Sequence, residues 1–383
     1  MRLSKTAKIL NIAWVGQGDF GDEAMAYALR MFLKKIGVES ITYYQQGRSS
    51  VFKGNSDLTI SSLHRHRTKE LIKKMADVFL LRRFNILLIG GGSIFHSINS
   101  IKWKFDILKK MRKFNKTSFL SVLVGVSFGP FKSLSAEEFC LNFLGNADII
   151  IARDRRSYDW AKEAGSNEQI YSSLDTSLLL PEICTQEMSR AADVKKEEDL
   201  VGIMFIKKNR AFNDDLYFEK YLAILNRILE KNKKVILFVI HVGDAVLDKE
   251  LSEALRTKCK FPEKIQIHFF DGDIFKTIRE LNRCSFIVSM RLHGIIFAYM
   301  LGIPFMSLGY DPKNKNFCDS INYPSIMSFD LNWPQNFELV LTSIDLLFEK
   351  GRELMNNSLP VKKASEMVFD NMNLLAKEIK EVL

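Results

Sequence analysis

The chain is poor in the residues that staple small or secreted folds. Its five cysteines, Cys140, Cys184, Cys259, Cys284 and Cys318, are odd in number and widely spaced, with no Cys-x-x-Cys pair among the 383 residues. That pattern argues against a disulfide framework and against structural zinc. Proline (8) and glycine (20) are scarce, which excludes collagenous and disordered readings. Long apolar runs are scarce too. The first, at 9–15, holds about seven residues and leads into Gly16 and Asp19 without a small-residue cleavage site, so it reads as a buried strand and not as a signal peptide. The uncharged stretch 292–310 contains Gly302 and Pro304 and reads as a helix stopped by Gly-Ile-Pro before a strand. The expected location is cytoplasmic, with peripheral contact at the inner face of the membrane as an option.

What is present in excess is positive charge. Lys and Arg number 55 against 45 Asp and Glu, a net +10, which attracts something anionic: nucleic acid, phospholipid or a phosphorylated substrate. The excess is local. Residues 64–83 and 101–116 together hold 14 Lys and Arg against 3 Asp and Glu. Both segments carry apolar positions at helical spacing, and the expectation is either a solvated basic face or a peripheral contact with anionic membrane.

Hydrophobic residues make up 47%, and short apolar runs alternate with helical patterns of ten or more residues, as in parallel sheets covered by helices. Strands are expected at 9–15, 40–44, 86–89, 117–124, 149–152 and 169–171, then at 201–206, 234–240, 265–269, 286–289 and 305–308. Helices are expected at 23–35, 69–79, 102–112, 136–146, 155–163, 216–230, 248–256, 275–282, 295–299 and from about 336 onward. The expected fold class is α/β, with two Rossmann-like domains facing each other across a cleft in a GT-B-like manner. Residues 1–185 form the first domain, 186–199 a polar linker, 200–335 the second domain, and 336–383 a helical segment. In such sheets ligands bind at the carboxyl ends of strands.

Four strand ends carry residues that packing does not require. Gly16-Gln17-Gly18-Asp19-Phe20-Gly21-Asp22-Glu23 offers close backbone approach and acids at a helix start, and it matches neither a dinucleotide fingerprint nor a P-loop. Gly90-Gly91-Gly92-Ser93 exposes backbone N–H groups suited to an anion or a sugar. Arg153, at the end of an apolar run, presents a donor fork to carboxylate or phosphate. Arg291-Leu292-His293-Gly294, after the apolar run 286–289, sets a cation beside a titratable imidazole. His64 and His66 lack a third ligand, so no metal site is expected.

Taken in order, Gly21-Asp22-Glu23-Ala24, Gly90-Gly91-Gly92-Ser93, Arg153-Asp154-x-x-Ser157, Asp175-x-x-Leu178-Leu179, Arg291-Leu292-His293-Gly294 and Tyr310-Asp311-x-Lys313-x-x-x-Phe317 resemble the polysaccharide pyruvyl transferase family over residues 11–330. The resemblance implies transfer of the enolpyruvyl unit of phosphoenolpyruvate onto two hydroxyls of a sugar, as a cyclic ketal, in polysaccharide biosynthesis. Donor and acceptor would meet between the domains. By the same resemblance His293 is the acid–base residue, with Arg291 and Asp22 as its catalytic companions and Asp22 on the acceptor side. Arg153, Arg291, Leu292 and Gly294 hold the donor, while Gly21, Gly91, Gly92, Ser93, Asp175 and Lys313 line the ligand loops.

Phosphoenolpyruvate is the donor substrate, with no cofactor and no metal. The partner is a sugar acceptor, lipid-linked as one option, and not nucleic acid. The family has Ala at position 294 at least as often as Gly, and an aliphatic residue is expected where Phe128 precedes Gly129-Pro130. Two other classes compete: a GT-B glycosyltransferase using a nucleotide sugar, and a non-enzymatic protein that binds polyanions or membrane surfaces.

Overall fold

In the computed structural model the described residues are 8–45, 58–61, 81–115, 118–165, 169–207, 214–242, 246–330 and 333–382. They fall into two compact units. Unit one comprises Met1–Gln17, Asp22–Ile183 and Ser365–Leu383; unit two comprises Gly18–Gly21 and Cys184–Ala364.

Unit one is built on β1 (Ile9–Ile12), β2 (Ile41–Gln45), β3 (Leu58–Ser61), β4 (Ile86–Phe95), β5 (Leu120–Phe128), β6 (Ile149–Ala152) and β7 (Ile170–Ser172). Their order is β3-β2-β1-β4-β5-β6-β7, with every pairing parallel. Unit two repeats the plan with β8 (Glu197–Met204), β9 (Lys234–Val239), β10 (Ile265–Phe269), β11 (Cys284–Ser289), β12 (Phe305–Leu308) and β13 (Ser328–Phe329), ordered β10-β9-β8-β11-β12-β13 and again all parallel. The fold is therefore α/β with two doubly wound sheets. In each the strand order reverses beside the first strand, which opens a crevice at the ends of β1 and β4 and of β8 and β11.

These strands are near-continuous apolar runs because parallel strands are buried on both faces. All four residues of β1 are buried, as are eight of the nine in β5. In unit one Phe95 packs on Phe143 (5.3 Å between ring centroids), which packs on Phe105 (5.3 Å). In unit two Phe20, fully buried, meets Phe297 (4.6 Å) and Phe270 (5.6 Å). That burial, together with Phe20 N–H to Ile240 O (2.9 Å) and Val242 N–H to Gly18 O (2.7 Å), explains why residues 18–21 belong to unit two.

The structure corrects several expectations. The run Gly90-Gly91-Gly92-Ser93 is not a turn: β4 continues through it, because Gly90 and Gly92 pair with Val124 and Val126 of β5. Gly91 and Gly92 have φ of +77° and +92°, and they kink the strand without ending it. The segment 186–199 is a helix, Thr185–Ala192, followed by the start of β8, and is no linker. Nor are residues 336–383 a separate segment. They form helices Phe337–Leu354 and Val361–Val382, and from Ser365 onward the chain belongs to unit one, where Phe369 meets Phe32 edge-on (5.9 Å between ring centroids). Strands β3 and β13 and helix Pro312–Ser320 carry too few apolar residues to stand out in the sequence. The helix expected at 69–79 lies outside the described residues.

The basic segment 101–116 falls on helix Ile98–Phe114 and is less of a cationic face than its composition suggests. Arg112 is held by Asp148 (2.8 Å). Lys104 is only 4% exposed; its Nζ donates to Ile94 O (3.1 Å) and Ser100 O (2.5 Å) and lies over the Trp103 ring at 4.6 Å. Most of 64–83 lies outside the described residues. Among the described residues no helix is long and apolar enough to cross a membrane.

Burial pushes the Lys104 ammonium down to about 7, against a smaller opposing effect from Cys140. Between that value and the ordinary lysine range the unfolded chain binds the extra proton, so folding stability should rise with pH. Relative to Lys104→Met, the wild-type protein is expected to gain about 2 kcal/mol between pH 7 and 9. Urea unfolding of both proteins across that range checks it, and a constant difference would contradict it.

Candidate active site

The carboxyl edge of the second sheet gathers five polar side chains from four parts of the chain. Arg291 follows β11, and His293 lies in the first turn of helix Leu292–Met300. His241 follows β9, Asp248 lies on helix Val246–Lys258, and Asp19 comes from the short N-terminal piece of this unit. The loops that end neighbouring parallel strands converge at the point where strand order reverses, so residues distant in sequence meet there.

Asp19 is the hub. One carboxylate oxygen accepts the Gly21 N–H (2.9 Å), and the other lies 3.2 Å from His241 Nδ1 and 3.9 Å from Arg291 Nη1. His241 Nδ1 is also 3.3 Å from Arg291 Nη1. A guanidinium only donates, so the Nδ1 proton goes to the carboxylate and the Arg291 contact is one of proximity. Burial works to raise the Asp19 carboxyl. The hydrogen bond from His241 and the positive charges of His293, Arg291 and His241 outweigh it and hold the group far below the usual carboxylate range.

Arg291 is pinned by Asp248 through Nη2. Burial alone would lower its pKa, but Asp248 and Asp19 raise it, so the guanidinium stays charged. Its Nε is buried with no hydrogen-bond partner among the described residues. The backbone is fixed as well: Ser289 Oγ donates to Arg291 O (2.8 Å) and accepts from Arg291 N–H (3.0 Å). Arg291 caps the helix without a side-chain hydrogen bond, and a helix start of this kind suits an anion.

The two glycines here are dictated by space. A Cβ on Gly21 would lie 1.7 Å from His293 Nδ1, so the bare backbone packs against the imidazole and sets its place. A Cβ on Gly294 would lie 2.3 Å from both Ser289 Oγ and Met204 Sδ. The alanine common at that position in the resembled family does not fit this chain without a shift. Gly294 is a packing residue, and Leu292, buried, can offer a ligand only its backbone.

The other expected site residues are placed elsewhere. Arg153, in unit one, is 4% exposed and paired with Asp175, 1% exposed, at 3.2 Å, with Nε on Ser127 Oγ (2.8 Å). Its charge is matched inside the fold, so the expectation of a donor ligand gives way to a structural tie between β6 and the turn that Asp175 caps through Ser177 N–H (3.0 Å). Asp154 likewise caps its helix through Ser157 N–H (2.9 Å).

Asp22 belongs to unit one. There its carboxylate lies 3.3 Å from where a Cβ on Gly92 would stand, and with Gly91 it lines a small cavity. Within unit two, the His293 charge acts on the Asp19 carboxylate. Lys313, in the first turn of helix Pro312–Ser320, lies over the Tyr310 ring at 4.7 Å. Asp19, His241 and Asp248 were not singled out by sequence reading. His241 could have been found as the first polar residue after the apolar run of β9.

This topology is that of GT-B-like α/β proteins, and solved structures share it. The UDP-GlcNAc 2-epimerase of Neisseria meningitidis bound to UDP-GlcNAc is 11% identical with a TM-score of 0.64, covering 97% of this chain and 100% of that one. The Methanocaldococcus jannaschii UDP-GlcNAc 2-epimerase in complex with UDP-GlcNAc and UDP is 14% identical, TM-score 0.61, covering 95% and 99%. A glycosyltransferase from Rickettsia africae is 15% identical, TM-score 0.56, covering 99% of each. At these identities the likeness is one of fold. No curated protein matches the sequence significantly. The polysaccharide pyruvyl transferase family model matches residues 19–312, most of the chain, and the chain belongs to that family of transferases.

A carboxyl group depressed by native contacts stabilises the fold fully above its unfolded value, and that stability fades only as pH falls through the lower folded value. The gap between wild type and Asp19→Asn should therefore shrink as pH falls from about 5 to about 2. Thermal unfolding at four pH values in that range checks this; a gap that stays constant or widens there would contradict it.

Proposed function

We propose that the protein transfers the enolpyruvyl group of phosphoenolpyruvate onto two hydroxyls of a sugar, forming a pyruvate ketal and releasing phosphate. The observation that carries this reading is the pairing of Arg291 with His293 at an uncapped helix start on the second sheet's switch point. Family membership supports the same chemistry.

The roles follow from the side chains. Arg291 is charged at all working pH values, and Asp248 orients it. Its guanidinium and the first-turn N–H groups suit the donor's carboxylate and phosphate. The imidazole of His293, in its protonated form, delivers a proton to the donor's methylene carbon as one sugar hydroxyl adds at C2. The proton of that hydroxyl returns to the imidazole. Phosphate then leaves with the C2–O electron pair, and the second hydroxyl closes the ketal, its proton passing to a base or to the departing phosphate. A single imidazole can act as acid and then as base. Asp19 stays ionised at the same sheet edge. No step requires a metal.

His293→Ala should abolish phosphate release from phosphoenolpyruvate with an acceptor present while leaving the unfolding midpoint near wild type. Gly21→Ala should do nearly the same damage by displacing the ring. Arg291→Met should raise KM for phosphoenolpyruvate by roughly a hundredfold. The measurement is phosphate release from purified variants with lipid-linked and nucleotide-linked sugars as acceptors. Wild-type rates in folded His293→Ala, or turnover of nucleotide sugars without phosphoenolpyruvate, would overturn the reading.

A further inference from the structure

The first sheet contains a buried polar group with no hydrogen-bond partner among the described residues. Asn11 is the third residue of β1, set between Tyr43 of β2 and Leu88 of β4 in an otherwise aliphatic strand. It is 0% exposed, and neither its amide nitrogen nor its oxygen has a hydrogen-bond partner among the described residues. Thr176, 2% exposed, is in the same position with its hydroxyl. Buried unpaired amides and hydroxyls are costly, and native folds rarely keep them without a use.

Both residues line one cavity of about 10 Å³, with Trp14, Asp22 and Gly91 also in its wall. That is room for a single oxygen. Trp14, 43% exposed, presents a large aromatic surface to solvent. Gly91 and Gly92, at positive φ, bring bare backbone against Met25 and the Asp22 carboxylate.

The chemistry of the ligand follows. An amide offers a donor and an acceptor together, and a hydroxyl answers both. A carboxylate or phosphate can only accept, and Asp22 on the wall repels it. An exposed indole suits the apolar C–H face of a ring whose other edges are polar. We infer that the carboxyl-end crevice of the first sheet is a sugar site, in which Asn11 and Thr176 read one ring hydroxyl, Trp14 stacks on the ring and Asp22 accepts from a neighbouring hydroxyl. This rests on the proposed function to the extent that the sugar would be the ketal acceptor; recognition itself needs no donor.

Saturation-transfer NMR with glucose, galactose, mannose and N-acetylglucosamine, without phosphoenolpyruvate, tests it. Wild type should show transfer to at least one of the four. Thr176→Val keeps shape and removes only the hydroxyl; it and Asn11→Leu should weaken binding of that sugar roughly tenfold while folding normally, and Trp14→Ala should abolish it. The inference is overturned if none of the four sugars binds. It is also overturned if folded Thr176→Val binds that sugar like wild type, which would mean that the hydroxyl meets no part of the sugar. Binding of a sugar that gives no phosphate release once phosphoenolpyruvate is added would sink the pyruvyl reading and leave this one standing.

Discussion

A parallel strand buried on both faces can hold polar chemistry only where it ends, and this constraint shapes both units. All pairings in the two sheets are parallel, so their interiors are closed to charge. The groups that matter are gathered at carboxyl ends, where the reversal of strand order leaves space. In unit two that space holds Arg291, His293, His241, Asp248 and Asp19. In unit one it holds the kinked glycines of β4 and the cavity under Trp14.

Within unit two the charges order one another. Asp248 fixes the direction of Arg291, Asp19 fixes the tautomer of His241, and Gly21 fixes the place of His293 by having no side chain. Hydrogen bonds and positive neighbours hold Asp19 ionised in spite of its burial, so this arrangement persists across the working pH range. On the proposed function, the donor's negative charge would meet a preorganised guanidinium and helix start, so that little has to reorganise as charge develops.

Much of this was legible in the sequence, and the failures have physical causes. Apolar runs of four to seven residues located most strands because burial on both faces demands them. Arg291 and His293 stood out because charged and titratable groups right after such a run have no packing role. The triple glycine misled: it signals a turn locally, but β5 supplied hydrogen-bond partners that carried the strand through it. Arg153 misled because the sequence cannot show that Asp175 lies beside it. Asp19 and His241 went unnoticed for the same reason, since their roles exist only once Phe20 is packed against Phe270 and Phe297. Asn11 was hidden inside an apolar run, and only its lack of partners gives it meaning.

On the proposed function, the second sheet's crevice handles an anionic three-carbon donor. Carbon-13 NMR of phosphoenolpyruvate labelled at C2, incubated with the protein and a panel of lipid-linked and nucleotide-linked sugars, tests it most directly. The label should move to a ketal carbon on a sugar as free phosphate appears in equal amount. A label that stays in phosphoenolpyruvate while a nucleotide sugar is consumed would contradict it.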